Sequence, residues 1–374
     1  MSDVFDRRTL QTRSLKEREN RVFVPGDLVD VERRSAEIDG ETASAVQDAA
    51  GAILNARKNG RPVILAFGAH AIKNGLAPVL IELIERNWVT HLATNGAGII
   101  HDWELAYQGQ TSEDVRTNQN EGTFGLWEET GRYLNLSLVL GSLYGLGYGE
   151  SVGAMIEENV LRVPGTGELE AILSGVTDSP FWKRAAAADI LDKAFDGYFE
   201  LREDSFEIAV RHAYSKYSVQ AAAFRLGIPL TGHPMFGHDI IYTSPLCSGA
   251  AIGRTAERDF LRFAASVSRL SGGVYLSIGS AIMSPMVFEK CFSMAQNVAI
   301  QNGRKLHDYR IFVNDLYVSD WNWSKQGEPP SDSPAYYLRF LKSFARVCSQ
   351  LSYVCADNRA FLSGLVVALR SLDS

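Results

Sequence analysis

The chain has 374 residues, of which 46% are hydrophobic and 22% charged, enough apolar material for a large buried core. A formal net charge of −7 argues against a nucleic-acid scaffold, which shows a basic patch, and favours a cationic small-molecule substrate. No apolar run reaches the roughly 18 residues needed to span a bilayer, and the polar opening MSDVFDRRTLQTRSLKEREN has no signal-like apolar stretch; a cytoplasmic protein with no membrane or nucleic-acid partner is expected.

Residues 1–40 read as an extended, charged lead-in, and residues 41–374 as a single domain with no linker, repeat or low-complexity tract. A helix over 43–59 stops at Gly60. The run VILAF over 63–67 reads as a buried strand, followed by a helix over 76–87 and a second strand over 89–94. Glycine-bearing loops, 68–75 and 95–98, decorate both strand ends of this β–loop–α–β unit. Residues 103–135 are polar and read as loop. The apolar run 136–140 reads as a strand that leads into GSLYGLGYGESVG and a helix to Leu161. Mixed helix and loop over 164–206 is followed by a long helix over 207–226, ended by Gly227. Strand-then-loop alternation returns: strand 228–230, helix 256–270, strand 274–277, a further helix, strand 309–313, a long loop over 319–334, strand 352–355 and a last helix to Leu372. Such alternation predicts an α/β, Rossmann-like fold with a mainly parallel sheet and helices on both faces. In such sheets ligands bind in the crevice at the carboxyl ends of the strands.

Several constellations fall at those ends. The loops around Gly68, Gly75, Gly96 and Gly98 let backbone N–H groups approach a phosphate, or are ordinary tight turns. Gly147-x-Gly149-x-x-x-Gly153 is a variant of the dinucleotide fingerprint, and equally a turn that permits close packing. His233, His238 and Asp239 form H-x₄-H-D, suited to a divalent metal, to proton shuttling or to a polar pocket wall; no third metal ligand is indicated locally. His101-Asp102 offers a general base or a substrate contact, or simply a helix start. Trp323-Ser324-Lys325 offers an amine enclosed by tryptophans, able to form an imine, or a solvated loop lysine. The cysteines Cys247, Cys291, Cys348 and Cys355 form no CxxC pair and read as reduced thiols.

Taken together, these segments resemble the deoxyhypusine synthase family. Lys73-Asn74-Gly75 matches that family's Ser-Ser-Gly loop, and Thr94-Asn95-Gly96-Ala97-Gly98 its Thr-Thr-Ala-Gly-Gly turn. Ile278-Gly279-Ser280 matches the Gly-Gly-Gly strand end, and Ala356-Asp357 the late Ala-Asp. The resemblance implies NAD as cofactor, held near Asn74, Gly75, Thr94, Asn95, Gly96, Gly279, Ser280 and Asp357. It also implies a homo-oligomer, tetrameric in the family, and an NAD-dependent aminoalkyl transferase or oxidoreductase acting on a small amine or polyamine through an imine. Departures accompany it. Ile100-His101-Asp102 replaces the acidic run that holds the polyamine, and Ser284 replaces a histidine. The imine-forming lysine corresponds to Lys325 or, in a later register, to Arg339, which cannot form an imine. The expected roles are Lys325, His101 and His238 in catalysis, and Asp102, Asp239, Asp315 and Trp323 in substrate binding, with no metal. A non-catalytic NAD-binding protein and a metal-dependent hydrolase built on His233, His238 and Asp239 are the alternatives.

Overall fold

The expected alternation builds a six-stranded parallel sheet in the computed structural model, which describes residues 4–32, 38–176, 178–195, 197, 199–348 and 350–373. In chain order the elements begin β1 (Val22–Phe23), α1 (Gly40–Lys58), β2 (Val63–Phe67), α2 (Ala69–Lys73), α3 (Ala77–Glu85), β3 (His91–Asn95), α4 (Gly96–Gln108), β4 (Gln110–Thr111), α5 (Val115–Glu121), α6 (Glu128–Tyr144) and α7 (Tyr148–Glu158). There follow β5 (Val160–Val163), α8 (Thr166–Ser174), α9 (Phe181–Phe195), β6 (Phe206–Ala209), α10 (Val219–Leu226), β7 (Leu230–His233), α11 (Gly249–Val267), β8 (Val274–Ile278), α12 (Met283–Gln301), β9 (Arg310–Asp315), α13 (Trp323–Gln326), α14 (Arg339–Ala345), β10 (Leu351–Cys355) and α15 (Asn358–Leu372).

The sheet runs β10-β9-β8-β2-β3-β7, every neighbour parallel. Renumbered by chain order within the sheet, this is 3-2-1-4-5-6 from β7 to β10, and the order reverses between β2 and β8. All five residues of β2 and of β8 are buried, which is why both read as unbroken apolar runs. Side chains alternate across the sheet. Val63, Leu65 and Phe67 enter a core shared with Ile53 of α1, Leu80 of α3 and Leu362 of α15. Ile64 and Ala66 enter a second core with Phe263 of α11, Phe288 of α12 and Phe344 of α14. Two small antiparallel pairs, β1 with β4 and β5 with β6, lie outside the sheet.

The sequence reading fails in the middle of the chain. Residues 103–135, expected as loop, contain the second half of α4, all of α5 and the start of α6. The expected strand 136–140 is the interior of α6, where every one of those residues is buried; a short apolar run cannot by itself distinguish a buried helix from a strand. The expected helix 207–226 is the short strand β6 followed, after a break, by α10. The Asn95–Gly98 loop is the start of α4, with Asn95 as its cap. In the lead-in, Leu15 and Arg18 are buried, and β1 pairs with β4, so residues 4–32 pack on the body; residues 33–37 lie outside the described ones.

Candidate functional site

At the tip of β3 the Asn95 side chain accepts a hydrogen bond from Gly98 N at 2.9 Å and so starts α4. Against this helix start lies Asp239, from the loop after β7. A Cβ on Gly96 would stand 2.0 Å from Asp239 Oδ2, so only glycine admits the carboxylate here. Oδ2 is buried and has no hydrogen-bond partner. The positive end of α4 favours an anion, yet burial dominates and pushes the Asp239 carboxyl up to about 7. Asp239 lines a cavity of about 200 Å³ together with His238, His101, Lys73, Glu104 and Glu113. Among the described residues the Lys73 ammonium has no hydrogen-bond or ion-pair partner. Glu113 is committed to its surroundings, its Oε1 accepting from Gly125 N at 3.2 Å and from Trp127 Nε1 at 3.0 Å.

A buried relay fixes His101. Arg18 grips Glu104 through two hydrogen bonds, Nη1 to Oε1 at 2.8 Å and Nη2 to Oε2 at 2.7 Å. Burial alone would raise the Glu104 carboxyl, but the charge and hydrogen bonds of Arg18 hold it below the usual range. Thr111 Oγ1 donates its one proton to this carboxylate and lies 2.7 Å from His101 Nδ1. It must therefore accept from Nδ1–H, which leaves Nε2 as the unprotonated nitrogen; the tautomer is assigned from the network. Burial pulls the imidazole down to about 4, with the Lys73 and Arg18 charges adding to the effect and Glu104 opposing it. Ser112, on the cavity wall, has φ of 74° and is buried, a strained conformation of the kind that clusters at functional sites.

The expected site residues divide into groups. His101, His238 and Asp239 meet at the cavity. Thr94, Gly279 and Ser280 lie at the tips of β3 and β8, on either side of β2. There Gly68 N donates to Ile278 O at 3.1 Å, and a Cβ on Gly68 would fall 2.1 Å from Gly279 O. Asn74 and Gly75 turn away from this place. A Cβ on Gly75 would meet Asp27 O at 1.9 Å, and Val29 N donates to Gly75 O at 2.9 Å, so the lead-in covers them. Asp357 follows β10 at the far edge of the sheet and caps α15 by accepting from Arg359 N.

Asp102 is buried and already saturated. It accepts from Ser218 Oγ at 2.6 Å, Val219 N at 2.9 Å, Gln220 N at 3.1 Å and Gln220 Nε2 at 2.9 Å, and thereby anchors the start of α10 instead of facing a ligand. Trp323 is a core residue whose indole donates to Ser319 Oγ. Lys325 is exposed on α13, outside the cavity lining. Arg339, its rival in register, is exposed beside Glu289. Asp315 accepts from the adjacent Leu316 N. His233 is buried against Phe263, with Nε2 2.9 Å from Thr231 Oγ1. Among the described residues no group of three or more His, Cys, Asp or Glu could hold a metal ion. The Gly147–Gly149 turn starts α7, and the chain's own Asp259 occupies it, accepting from Gly149 N and Gly232 N at 2.8 Å each.

Arg18, Lys73, Glu104, Ser112 and Glu113 went unnoticed in the sequence. One signal was present: Glu104 stands three residues after His101, and on a helix that spacing shares a face. Arg18 lies 86 residues away from its partner and carries no local sign.

Dinucleotides bind where the strand order of such a sheet reverses, here between the tips of β2 and β8. Beside that point Asn314 Nδ2 donates to Asn358 Oδ1 at 2.8 Å, while Asn314 Oδ1 is buried without a partner. A ribose hydroxyl or a carboxamide is a donor that fits this acceptor. The start of α4 is a poorer phosphate seat, since Asp239 already fills it.

No family model and no curated protein matches the chain. Solved structures resemble it in part. The ternary complex of AgrE with ornithine and NAD+ is 14% identical, with a TM-score of 0.45, over 90% of this chain and 34% of that one. A conserved LOR/SDH protein from Methanococcus maripaludis S2 is 11% identical, with a TM-score of 0.41, over 97% and 76%. A protein assigned as a deoxyhypusine synthase from Entamoeba histolytica is 10% identical, with a TM-score of 0.40, over 91% and 95%. The chain spans about a third of the length of the AgrE chain that it matches.

Proposed function

We propose that this chain is an NAD-dependent α/β enzyme that acts on a small amine or amino acid in the cavity at the strand tips. The observation that carries the reading is Asp239, whose carboxylate has one buried, unpartnered oxygen, on the wall of a small cavity lined also by His101 and Lys73. An unsatisfied buried carboxylate is costly, and a substrate ammonium is the natural group to relieve it. The cavity volume of about 200 Å³ suits a molecule of amino-acid size, not a dinucleotide.

The roles follow from the chemistry. Asp239, ionised above about pH 7, holds the substrate ammonium. Lys73, without an internal partner, holds a substrate carboxylate and takes over from the exposed Lys325 as the amine of the site. His101 accepts a proton at Nε2, and its orientation is kept by Thr111, Glu104 and Arg18. NAD would be held by Gly279, Ser280 and Asn314, and when bound supplies hydride chemistry at a C–N carbon.

Two measurements test this. Calorimetric titration should show one NAD bound per chain; no heat and no thermal shift would remove the cofactor from the account. Asp239→Asn should lower kcat/KM for amino acids or diamines by about thirtyfold or more, with NAD affinity unchanged. NAD binding without turnover of any amine in the wild type would favour a non-catalytic binding protein, a reading that the exposed position of Lys325 supports.

A further inference from the structure

At the amino ends of the strands, where Pro62, Thr90 and Pro229 precede β2, β3 and β7, lies a cleft of about 850 Å³. Its lining holds Arg57, Arg61, Arg269, Arg304 and Lys305, together with His307, and no aspartate or glutamate. This is a concentration of positive charge in a chain whose net charge is −7. Elsewhere arginines are matched: Arg310 with Asp48, Arg262 with Glu150 and Arg370 with Glu82. Among the described residues Arg61, Arg269, Arg304 and Lys305 have no acidic partner.

Helix dipoles account for part of this charge. The carboxyl ends of α1, α11 and α12, at Lys58, Val267 and Gln301, border the cleft. Each is equivalent to about half a negative charge, so three ends offset roughly one and a half of the five arginine and lysine charges. His307 is paired with Asp308, Nδ1 to Oδ2 at 2.8 Å, and that carboxylate offsets about one charge more, so an excess of about two to three positive charges remains. The volume lies within the range of small-molecule pockets. Ser266, Ser268 and Asn302 add hydroxyl and amide groups to the wall. No phenylalanine, tyrosine or tryptophan lines the cleft to stack on a base.

We propose that this cleft binds the di- or triphosphate group of a small phosphorylated compound, and that it is separate from the cavity at the strand tips. Arginine forks match phosphate oxygens in pairs, and the roughly two to four negative charges of such a group cover the excess.

The test is calorimetric titration of the full chain with inorganic tripolyphosphate at low ionic strength, with ATP and citrate in parallel. Saturable binding of one tripolyphosphate per chain is expected, weakening as salt is added and undisturbed by NAD. Arg269→Ala combined with Arg304→Ala should weaken it by about tenfold or more; Arg61→Gln with Lys305→Gln, at exposed positions, tests the same cleft should the first pair fail to fold. Tripolyphosphate and ATP separate an inorganic source from a nucleotide source, and binding of either that is lost in the variants supports the site. No binding at millimolar concentration, an affinity unchanged by the variants, or citrate binding as tightly as tripolyphosphate would overturn it.

Discussion

Asp239 and His101 sit in one cavity with their proton affinities moved in opposite directions by the same cause. Burial raises the carboxyl to about 7 and lowers the imidazole to about 4. Near neutrality His101 is therefore an uncharged acceptor, and Asp239 is the group that titrates. Affinity for a cationic amine should rise with pH through about 7 as Asp239 ionises, then level off, with no second limb from His101 above pH 5. Measuring amine affinity against pH checks this, and Asp239→Asn should flatten the profile. Asp102 gives the contrasting case. Its four accepted bonds all run to the start of α10, so Asp102→Ala leaves buried donors unmet, at about 1–3 kcal/mol for each. A fall of several kcal/mol in urea unfolding with amine affinity intact is the expected outcome; lost affinity in a protein of unchanged stability would return Asp102 to the binding site. The sequence showed His238-Asp239 because both follow a strand. It showed His101-Asp102 as a pair but not that the two point to different neighbours, since a helix turns adjacent residues about 100° apart.

The elements of the open sheet were legible where strands are buried on both faces and bounded by glycine, as in β2 and β8. They were not legible in α6, whose buried run Leu136, Leu138, Val139 and Leu140 carries no visible periodicity because neighbours enclose the helix on most sides. What the lead-in does was not legible for a related reason. It is charged, yet Arg18 is 5% exposed and Glu104 is 1% exposed, a pairing that only the folded chain reveals. Removing one partner of a buried ion pair strands the other charge and costs about 3–5 kcal/mol. Arg18→Met should therefore lower stability by that order in chemical denaturation. It should also free Thr111 and His101 from their fixed arrangement and reduce turnover. Unchanged stability would show that the lead-in does not hold the site.

Over the whole molecule, buried titratable groups set how stability responds to acid. His91 and His233 are lowered to about 3, and His101 and His212 to about 4, burial being the main cause in each. In the unfolded chain a histidine takes its proton near about 6.5, so each of the four binds fewer protons when folded, and its contribution is lost as pH falls from 6.5 to the folded value. Asp239 and Asp259, raised to about 7, and Asp102, also raised by burial, work the other way: their contribution is present below about 3.9 and is lost as pH rises through their folded values. Four histidines outweigh three carboxyls, so the urea midpoint should fall between pH 6 and pH 4. A midpoint that rises over that interval would mean that these histidines are not buried in solution.

The central claim is that the strand tips hold a carboxylate kept without an internal partner for an incoming amine. Carbon-13 NMR of aspartate-labelled protein reads it directly. The Asp239 carboxyl signal, identified by its disappearance in Asp239→Asn, should titrate near 7, and its midpoint should fall when a small amino acid or diamine is added. Titration near 4, with no response to any amine, would contradict the account.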